Sequence, residues 1–292
     1  MIWILLGLAY AAAAYQILAI VAALSHLRRT SLPVPLLAPV SILKPVHGSD
    51  PGFYEAIRSH ALQDSADFEI LFGIGEPDDA ARPQIERLMR EFPGVSIRVL
   101  VCPTKAPNRK VGLLMDLKRE ARYPVLVVND ADISVAPHYL REVTGPLADP
   151  HVGLVTCLYR AETHDWPSHF EALAIATEFA PSILVAPLFG VSEFGLGSTL
   201  AFHKQDLEAI GGFGAVADYL ADDYQIGRRL HRLGRKNVLS HLVVSTRVAS
   251  GSWGGAWRHQ LRWARTVRLS RAGGYAGLPV TFATLWAIAA AC

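Results

Sequence analysis

Residues 124–132 read Pro-Val-Leu-Val-Val-Asn-Asp-Ala-Asp, a short apolar run that ends in two acidic residues. The run over 125–129 is typical of a buried strand. Ligands of parallel α/β sheets bind beyond the carboxyl ends of strands, so Asp130 and Asp132 stand where a site is expected. Two carboxylates this close need a cation or a raised pKa, and their oxygens suit Mg²⁺ or Mn²⁺. The stretch predicts a metal site for a phosphate-bearing ligand, with an ordinary polar turn as the alternative.

Strands and helices alternate around this run. The predicted strands are 40–46, 68–75, 95–102, 125–129 and 152–157, and the predicted helices are 51–63, 80–92, 110–121 and 137–147. Apolar strands in this β-α-β-α order predict an α/β fold with a parallel sheet covered by helices on both faces. The sequence contains no P-loop, no GxGxxG fingerprint and no zinc-ligand spacing.

Charged residues are confined to the middle of the 292-residue chain. Hydrophobic residues make up 51%, and all 54 charged residues, which are 28 Lys and Arg and 26 Asp and Glu, lie between Arg28 and Arg271. This composition excludes a disordered chain, a collagen and a coiled coil. Three widely spaced cysteines exclude a disulfide scaffold. A net charge of only +2 gives no reason to expect a nucleic-acid partner.

Each end of the chain carries an uncharged segment. As a helix, residues 2–24 would span about 35 Å, enough for a hydrocarbon core of about 30 Å. No Lys or Arg precedes them and Arg28-Arg29 follow, which favours a transmembrane signal anchor over 1–27 rather than a cleaved signal peptide. The positive-inside rule then places the next domain in the cytosol. Prolines predict a stiff linker over 28–39, and the run over 275–292 predicts a partial transmembrane segment, cut short at residue 292.

The end of the charged region is strongly basic. No acidic residue follows Asp223, and the last basic residues recur at helical spacing: Arg258, Arg262, Arg265, Arg268 and Arg271. Trp253, Trp257 and Trp263 lie among them. This pattern predicts an interfacial helix over 253–272 on the surface of the lipid bilayer, with a plain solvated face or contact with an anionic substrate as alternatives. The catalytic domain is expected between these segments, over 40–252.

Two further acidic clusters follow or open predicted elements. Asp78-Asp79 follows the strand over 68–75, where a turn and a helix cap would also explain it. Asp222-Asp223 opens a helix whose predicted apolar face is Ile226, Leu230 and Leu233. Helix geometry puts Asp223 on that inward face and rotates Asp222 away by about 100°, where it would cap the helix.

Together these motifs resemble the family-2-type glycosyltransferases, and most closely the ceramide glucosyltransferase family with its bacterial relatives. The matching stretches cover 40–271 in the family's order: Val40-Ser-Ile-Leu-Lys-Pro-Val46, Asp78-Asp79, Asn108-Arg-Lys-Val-Gly112, Asp130-Ala-Asp132, Gly195-Leu-Gly-Ser-Thr199, Ala221-Asp-Asp-Tyr224 and His259-Gln-Leu-Arg-Trp263. The resemblance implies a GT-A fold, a Rossmann-like domain that binds a nucleotide sugar. His259 departs from the pattern, because the family usually has Gln or Arg there.

The resemblance also implies roles for individual residues. The implied set comprises Asp79 at the uracil end of the donor, Asn108 and Lys110 on the nucleotide side, Asp130 and Asp132 on the metal and diphosphate, Asp223 as the base, and Arg262 with Trp263 as the family's Arg-Trp pair. A single base predicts an inverting displacement, since a retaining route needs a second carboxylate as nucleophile. Mg²⁺ or Mn²⁺ and a cation such as Arg262 would stabilise the leaving nucleoside diphosphate.

The resulting hypothesis is transfer of a hexose from a UDP-sugar to a hydroxyl of a membrane lipid, as in ceramide glucosyltransferases. Ceramide-type members often have Asp-Ser-Gly where this chain has Asp130-Ala-Asp132, which leaves a hopanoid lipid N-acetylglucosaminyltransferase as an alternative. A non-catalytic GT-A scaffold, a polysaccharide synthase and a polyprenyl-phosphate sugar transferase are further alternatives. The apolar run Pro181–Val191 would dock on the bilayer, line an acceptor channel or belong to the core.

Overall fold

The computed structural model describes residues 2–28, 38–64, 67–248 and 251–291, so most of the predicted linker lies outside the described residues. The elements, numbered along the chain, are α1 (Ile2–Arg28), β1 (Val40–Pro45), α2 (Phe53–Ala61), β2 (Phe68–Ile74), α3 (Arg82–Glu91), β3 (Ser96–Val101), α4 (Arg109–Glu120), β4 (Val125–Val128), β5 (Ile133–Ser134), α5 (Tyr139–Thr144), β6 (Val152–Thr163), α6 (Trp166–Ala174), α7 (Ala180–Val185), β7 (Leu200–His203), α8 (Lys204–Ala209), α9 (Asp222–Arg232), β8 (Lys236–Val248), α10 (Trp253–Ser270), α11 (Ala272–Gly277) and α12 (Ala283–Ala291).

The described residues divide into two compact units. A sheet unit contains residues 38–163 and 192–248, and a helical unit contains residues 2–28, 164–191 and 251–291. The helical unit thus includes 164–191, which fall inside the catalytic domain predicted over 40–252. An apolar stretch of this kind can belong either to a core or to a membrane helix, and the sequence pattern alone does not separate the two.

The sheet has the strand order β3-β2-β1-β4-β7-β6-β8-β5. The first four strands are parallel, as predicted, and so are β6 and β8. The remaining pairs are antiparallel, because β7 opposes both β4 and β6, and β5 opposes β8. The five predicted strands therefore all run in one direction, and the sheet is mixed because β7 and β5, which the sequence pattern does not predict, run against them. Apolar character indicates burial on both faces but does not fix strand direction.

Helices cover both faces of the sheet, as the alternating strand pattern predicts. Ile42 of β1 packs with residues of α2, α3 and α5 on one face, and its neighbour Leu43 packs with residues of α4, α8 and α9 on the other. Both side chains are fully buried. Successive residues of a strand point to opposite faces, so each central strand contributes to both cores. This arrangement holds the carboxyl end of β4 and the first turns of α4 and α9 in fixed positions.

The helical unit contains two helices that are long and apolar enough to cross a membrane. One is α1, as expected from the sequence, and the other is the continuous helix Trp166–Phe189, which includes α6 and α7. A bent pair, Ala272–Thr281 with Ala283–Ala291, passes the same test if it counts as one span. Within this unit α1 packs on α7 and α12. The helix predicted over 253–272 is present as α10, which Ser252 caps by accepting a hydrogen bond from the Gly255 amide at 3.1 Å.

Candidate active site

Carboxylates and a lysine meet at the carboxyl end of β4 in the sheet unit. Asp130 and Asp132 follow β4, Lys110 lies in the first turn of α4, and Asp222 and Asp223 open α9. These residues come from three separate stretches of the chain. Their convergence at the end of a parallel strand is the arrangement that the sequence predicts.

Asp130 is held by backbone contacts while its carboxylate stays partly open. The Asp130 amide donates to the Gly197 carbonyl at 3.1 Å, and the side chain is 43% exposed. A Cβ added to Gly197 would lie 2.6 Å from Asp130 Oδ2 and 3.3 Å from Asp223 Oδ2. Gly197 therefore lets these two carboxylates approach the same point. Gly197 belongs to the motif Gly195-Leu-Gly-Ser-Thr199, but the sequence does not show that Asp130 and Asp223 approach it.

Asp132 has an environment that favours a bound cation. Thr246 of β8 donates a hydrogen bond to Asp132 Oδ2. Burial, followed by the nearby charge of Asp130, raises the pKa of Asp132. A divalent cation would relieve both effects, and carboxylate oxygens are its preferred ligands, so this pair fits the predicted metal. Within the described ranges, no group of three or more His, Cys, Asp and Glu is arranged to hold a metal.

Asp223 is a half-buried acid with a raised pKa. Its Oδ2 accepts from the Gly197 amide at 2.8 Å and its Oδ1 from the Tyr224 amide at 2.7 Å. Burial, followed by the charge of neighbouring Asp222, raises the pKa of Asp223 to about 6. A carboxyl group poised near neutrality is suited to accept a proton from a substrate hydroxyl.

Asp222 does not cap α9, which contradicts the expectation from helix rotation. Ala221 occupies the cap position without a side-chain hydrogen bond, and Asp222 is only 4% exposed. Its carboxylate oxygens lie 3.3 Å from Lys110 Nζ and 3.3 Å from Asn108 Nδ2. Both acids of the pair point inward because the first turn of α9 is enclosed by α4 on one side and the loop before β7 on the other. A helical wheel cannot represent such neighbours.

Asn108 and Lys110 connect α4 to both acidic clusters. Asn108 Oδ1 caps α4 by accepting from the Val111 amide at 3.4 Å, and its Nδ2 donates to the Tyr219 carbonyl at 2.9 Å. Lys110 Nζ lies 2.8 Å from Asp130 Oδ1. Burial alone would lower the pKa of Lys110, but Asp130 and Asp222 raise it above its usual range. Lys110 therefore stays positively charged beside Asp130.

Asp79 occupies the loop after β2 and binds backbone amides. Its Oδ1 accepts from the Gly48 amide at 3.0 Å and the Ala81 amide at 2.9 Å. His47 lies nearby, with Nδ1 3.5 Å from Asp79 Oδ2. These contacts join the loops that follow β1 and β2. The predicted contact of Asp79 with the donor's base stays a prediction.

The sequence interpretation missed Lys44, a fully buried lysine in β1. Lys44 Nζ donates to the Asp130 carbonyl at 2.8 Å, which fixes the backbone that carries the Asp130-Ala-Asp132 pair. Burial lowers the pKa of Lys44 to about 7, against the opposing effect of Asp132 and Asp130. The sequence does contain a signal, because Lys44 lies between Leu43 and Pro45 in an apolar strand. Lys is almost never fully buried without a partner, so a lysine in a buried strand indicates a polar contact.

Arg262 and Trp263 belong to α10 in the helical unit. Arg262 is exposed, and the ring of Trp263 lies 5.5 Å from the rings of both Phe179 and His259. His259 Nδ1 in turn lies 2.8 Å from Glu171 Oε2. The Arg-Trp motif thus packs against the helix Trp166–Phe189. The catalytic role of Arg262 stays a prediction.

The known proteins that the sequence matches are glycosyltransferases. The family model described as glycosyl transferase family 21 matches residues 2–292. Two curated relatives from Caenorhabditis elegans are 28% identical to the chain: ceramide glucosyltransferase 1 over 212 residues, which is 71% of this chain and 45% of the relative, and ceramide glucosyltransferase 3 over 230 residues, which is 77% and 50%. The chain therefore spans about half the length of these curated relatives.

A solved structure shares the fold. The mannosyltransferase from Pyrobaculum calidifontis, solved in complex with GDP-mannose and Mn²⁺, aligns with a TM-score of 0.63 and 21% sequence identity. The alignment covers 96% of this chain and 81% of the mannosyltransferase. The predicted α/β fold of the GT-A type is thus confirmed.

Proposed function

Because the chain belongs to glycosyl transferase family 21, we propose that it is a membrane-bound inverting glycosyltransferase that moves a hexose from a UDP-sugar to a hydroxyl of a membrane lipid. The observation that carries this proposal is the approach of Asp130 and Asp223 to Gly197, with Asp132 two residues away and Lys110 alongside. Metal ligands, a cationic group and a base are what transfer from a nucleotide sugar requires.

The donor would bind where Asn108, Lys110, Asp130 and Asp132 meet. Asp130 and Asp132 would hold Mg²⁺ or Mn²⁺, which when bound neutralises negative charge on the diphosphate. The partly exposed carboxylate of Asp130 and its neighbour Lys110 are open to such a ligand. The fold neighbour was solved with a nucleotide sugar and Mn²⁺, which is consistent with this class of donor. Asp79 is proposed to contact the base.

Asp223 is proposed as the general base. With a pKa of about 6 it is mostly ionised at neutral pH and can take the proton of the attacking hydroxyl. The Gly197 amide fixes Oδ2 and orients the carboxylate. Asp222 is turned toward Lys110 and Asn108, so it is not placed as a nucleophile. One base without a nucleophilic partner implies single displacement, which gives a β-glycoside from an α-linked donor.

Arg262 and Trp263 are proposed to take part in catalysis on the strength of the family motif. Arg262 is an exposed cation that would stabilise charge on the departing nucleoside diphosphate. Trp263 packs beside His259 and Phe179, where it would position the acceptor.

The acceptor is proposed to be a lipid because the chain carries helices long and apolar enough to span a membrane. A domain tethered in this way gains access to lipids rather than to soluble acceptors. The names of the curated relatives favour ceramide as the acceptor and glucose as the sugar. Asp132 in place of the glycine often found in ceramide-type members keeps the hopanoid lipid N-acetylglucosaminyltransferase as the second candidate.

A product assay with two donors and two acceptors tests this proposal. Membranes that contain the full chain are incubated with labelled UDP-glucose or UDP-N-acetylglucosamine, each with ceramide or a polyol hopanoid, and the lipids are resolved by chromatography. We expect one donor–acceptor pair to give a labelled glycolipid. Asp223→Asn membranes are the control. Label that stays in the aqueous phase for every pair would contradict the proposal.

A further inference from the structure

A buried acid in the helical unit has an oxygen without a partner. Glu171 of α6 is fully buried, and its Oε1 has no hydrogen-bond partner among the residues that the structure describes. Burying a carboxylate oxygen without a donor is costly, so such an atom needs an explanation. A ligand that supplies a donor would satisfy it.

The other oxygen of Glu171 identifies the chemistry of this position. Glu171 Oε2 lies 2.8 Å from His259 Nδ1 of α10, and an ionised carboxylate can only accept, so Nδ1 carries the hydrogen. Nε2, the second ring nitrogen, can accept from a hydroxyl when the ring is neutral or donate to one when the ring is protonated. The His259 ring is 28% exposed and can therefore be reached. The pair combines an acceptor without a partner, Glu171 Oε1, with the accessible ring nitrogen His259 Nε2, and a complementary ligand carries hydroxyl or amide N–H groups.

The surroundings of this pair change from polar to aromatic along the helix Trp166–Phe189. The centroid of the Trp263 ring lies 5.5 Å from that of His259 and 5.5 Å from that of Phe179. Phe179 lies eight residues beyond Glu171, about 12 Å along a helix. A ligand that follows this surface would have donor groups at one end and an apolar body at the other.

We propose that Glu171 and His259 bind the hydroxyl- or amide-bearing head group of the acceptor lipid, with Trp263 and Phe179 alongside its apolar part. The inference rests on the proposed function, since it assumes a lipid acceptor. Sphingoid lipids and polyol lipids share this donor chemistry. A simple clamp between α6 and α10 would also use the Glu171–His259 bond, and the variants below separate the two roles.

Glu171→Gln is the discriminating variant. Gln keeps a carbonyl oxygen that accepts from His259 Nδ1, so the contact between the two helices remains. Its NH₂ group replaces Oε1 and meets the ligand with a donor instead of an acceptor. We expect a rise of at least about tenfold in the KM for the acceptor lipid, the equivalent of one lost hydrogen bond to a charged group. The KM for the UDP-sugar and the melting temperature should not change.

His259 variants supply a rescue test. His259→Gln keeps a donor to Glu171 and an acceptor for the ligand, and it restores a residue usual at this position of the motif. His259→Leu removes both groups. The acceptor KM of His259→Gln should stay close to that of the wild type, whereas His259→Leu should resemble Glu171→Gln. Thr281→Ala is the matched control, because Thr281 contacts Glu178 of the same long helix at 3.4 Å outside this pair.

Each KM is measured with ceramide and with the polyol hopanoid. Lipid binding is measured separately by photolabelling with a diazirine ceramide, and each unlabelled lipid is added as a competitor. Labelling of α6 or α10 peptides that falls at least about fivefold in Glu171→Gln, as expected for a lost hydrogen bond, supports the proposal. Equal labelling of the wild type and Glu171→Gln, or no labelling of α6 and α10, would overturn the proposal. So would a lower melting temperature of Glu171→Gln together with equal changes in its KM for the lipid and its KM for the UDP-sugar. A wild type that transfers sugar to neither lipid refutes the proposed function instead, and photolabelling then decides on the site alone.

Discussion

At the scale of single residues, Asp223 and Asp222 have different surroundings, so substitutions of the two residues should have different effects on kcat. Asp223→Asn keeps the size of the side chain but cannot accept the substrate's proton, so kcat should fall by about 10²–10⁴-fold. The KM for the UDP-sugar should be nearly unchanged, because Lys110 and Asp130 remain. Asp222→Asn keeps an oxygen for Asn108 and should reduce kcat much less. Steady-state kinetics at saturating donor compares the two variants. A larger loss of kcat in Asp222→Asn than in Asp223→Asn would show that Asp223 is not the base.

The pH dependence of kcat/KM should report the titration of Asp223. Its pKa is raised to about 6, first by burial and then by the charge of Asp222. A base works in its ionised form, so kcat/KM should be level well above pH 6, reach half its maximum near pH 6 and fall further as pH decreases. Removing the like charge in Asp222→Asn lowers the pKa of Asp223, so the fall should begin at a lower pH. A profile that does not move, or moves upward, would contradict this assignment.

Turnover should require Mg²⁺ or Mn²⁺ bound through Asp130 and Asp132. Excess EDTA should abolish activity, and added metal should restore it. Thr246→Val removes the hydrogen bond to Asp132 and should raise the metal concentration for half-maximal activity by about 10-fold or more, as for other residues that orient a metal ligand. Ser245→Ala is the control, because its hydroxyl accepts from Arg160 instead. Full activity in excess EDTA would exclude the metal site.

At the scale of elements, α9 depends on close contact with the loop that precedes β7. A Cβ added to Gly227 of α9 would lie 2.5 Å from the Gly195 nitrogen and 2.6 Å from the Phe194 carbonyl carbon. Gly227→Ala must therefore move the helix, which should cost about 1–3 kcal/mol in the free energy of unfolding and reduce activity. Chemical denaturation measures the first effect. Gly214→Ala, whose added Cβ would meet Met115 only at 3.7 Å, should cost little.

The strands around the site could be predicted from the sequence because local pattern determines them. The apolar run before Asp130 is β4, and Lys110 lies at the start of α4, as expected. The antiparallel β7 could not be predicted in the same way, because strand direction depends on the path of the chain between elements. The long apolar helix Trp166–Phe189 carries Glu171 and Glu178, which weaken its apolar signal.

The missed site residues share one physical reason. Lys44 reaches Asp130 across 86 positions in the sequence, and Thr246 reaches Asp132 across 114. Such contacts follow from the order of strands in the sheet rather than from spacing along the chain. The same holds for Asp222, whose inward position is determined by Asn108 and Lys110 on α4.

At the scale of the whole molecule, the sheet unit is expected on the cytosolic side of the membrane. Arg28 at the end of α1 and the exposed arginines of α10 adjoin apolar segments, and positive residues favour the cytosolic face. Protease added to sealed, right-side-out vesicles should leave the sheet unit intact, and detergent should make it sensitive. Antibodies against a sheet-unit epitope follow the fragment, and digestion in sealed vesicles would contradict this topology.

The proposed mechanism makes the claim that Asp223 drives an inverting transfer from a UDP-sugar to a membrane lipid. The decisive measurement is the anomeric configuration of the glycolipid that the full chain forms from an α-linked, ¹³C-labelled UDP-sugar, determined by NMR for the wild type and for Asp223→Asn. We predict a β-linked glycolipid from the wild type and a loss of about 10²–10⁴-fold in its rate of formation in the variant. An α-linked product, or equal rates of formation from both proteins, would contradict the claim.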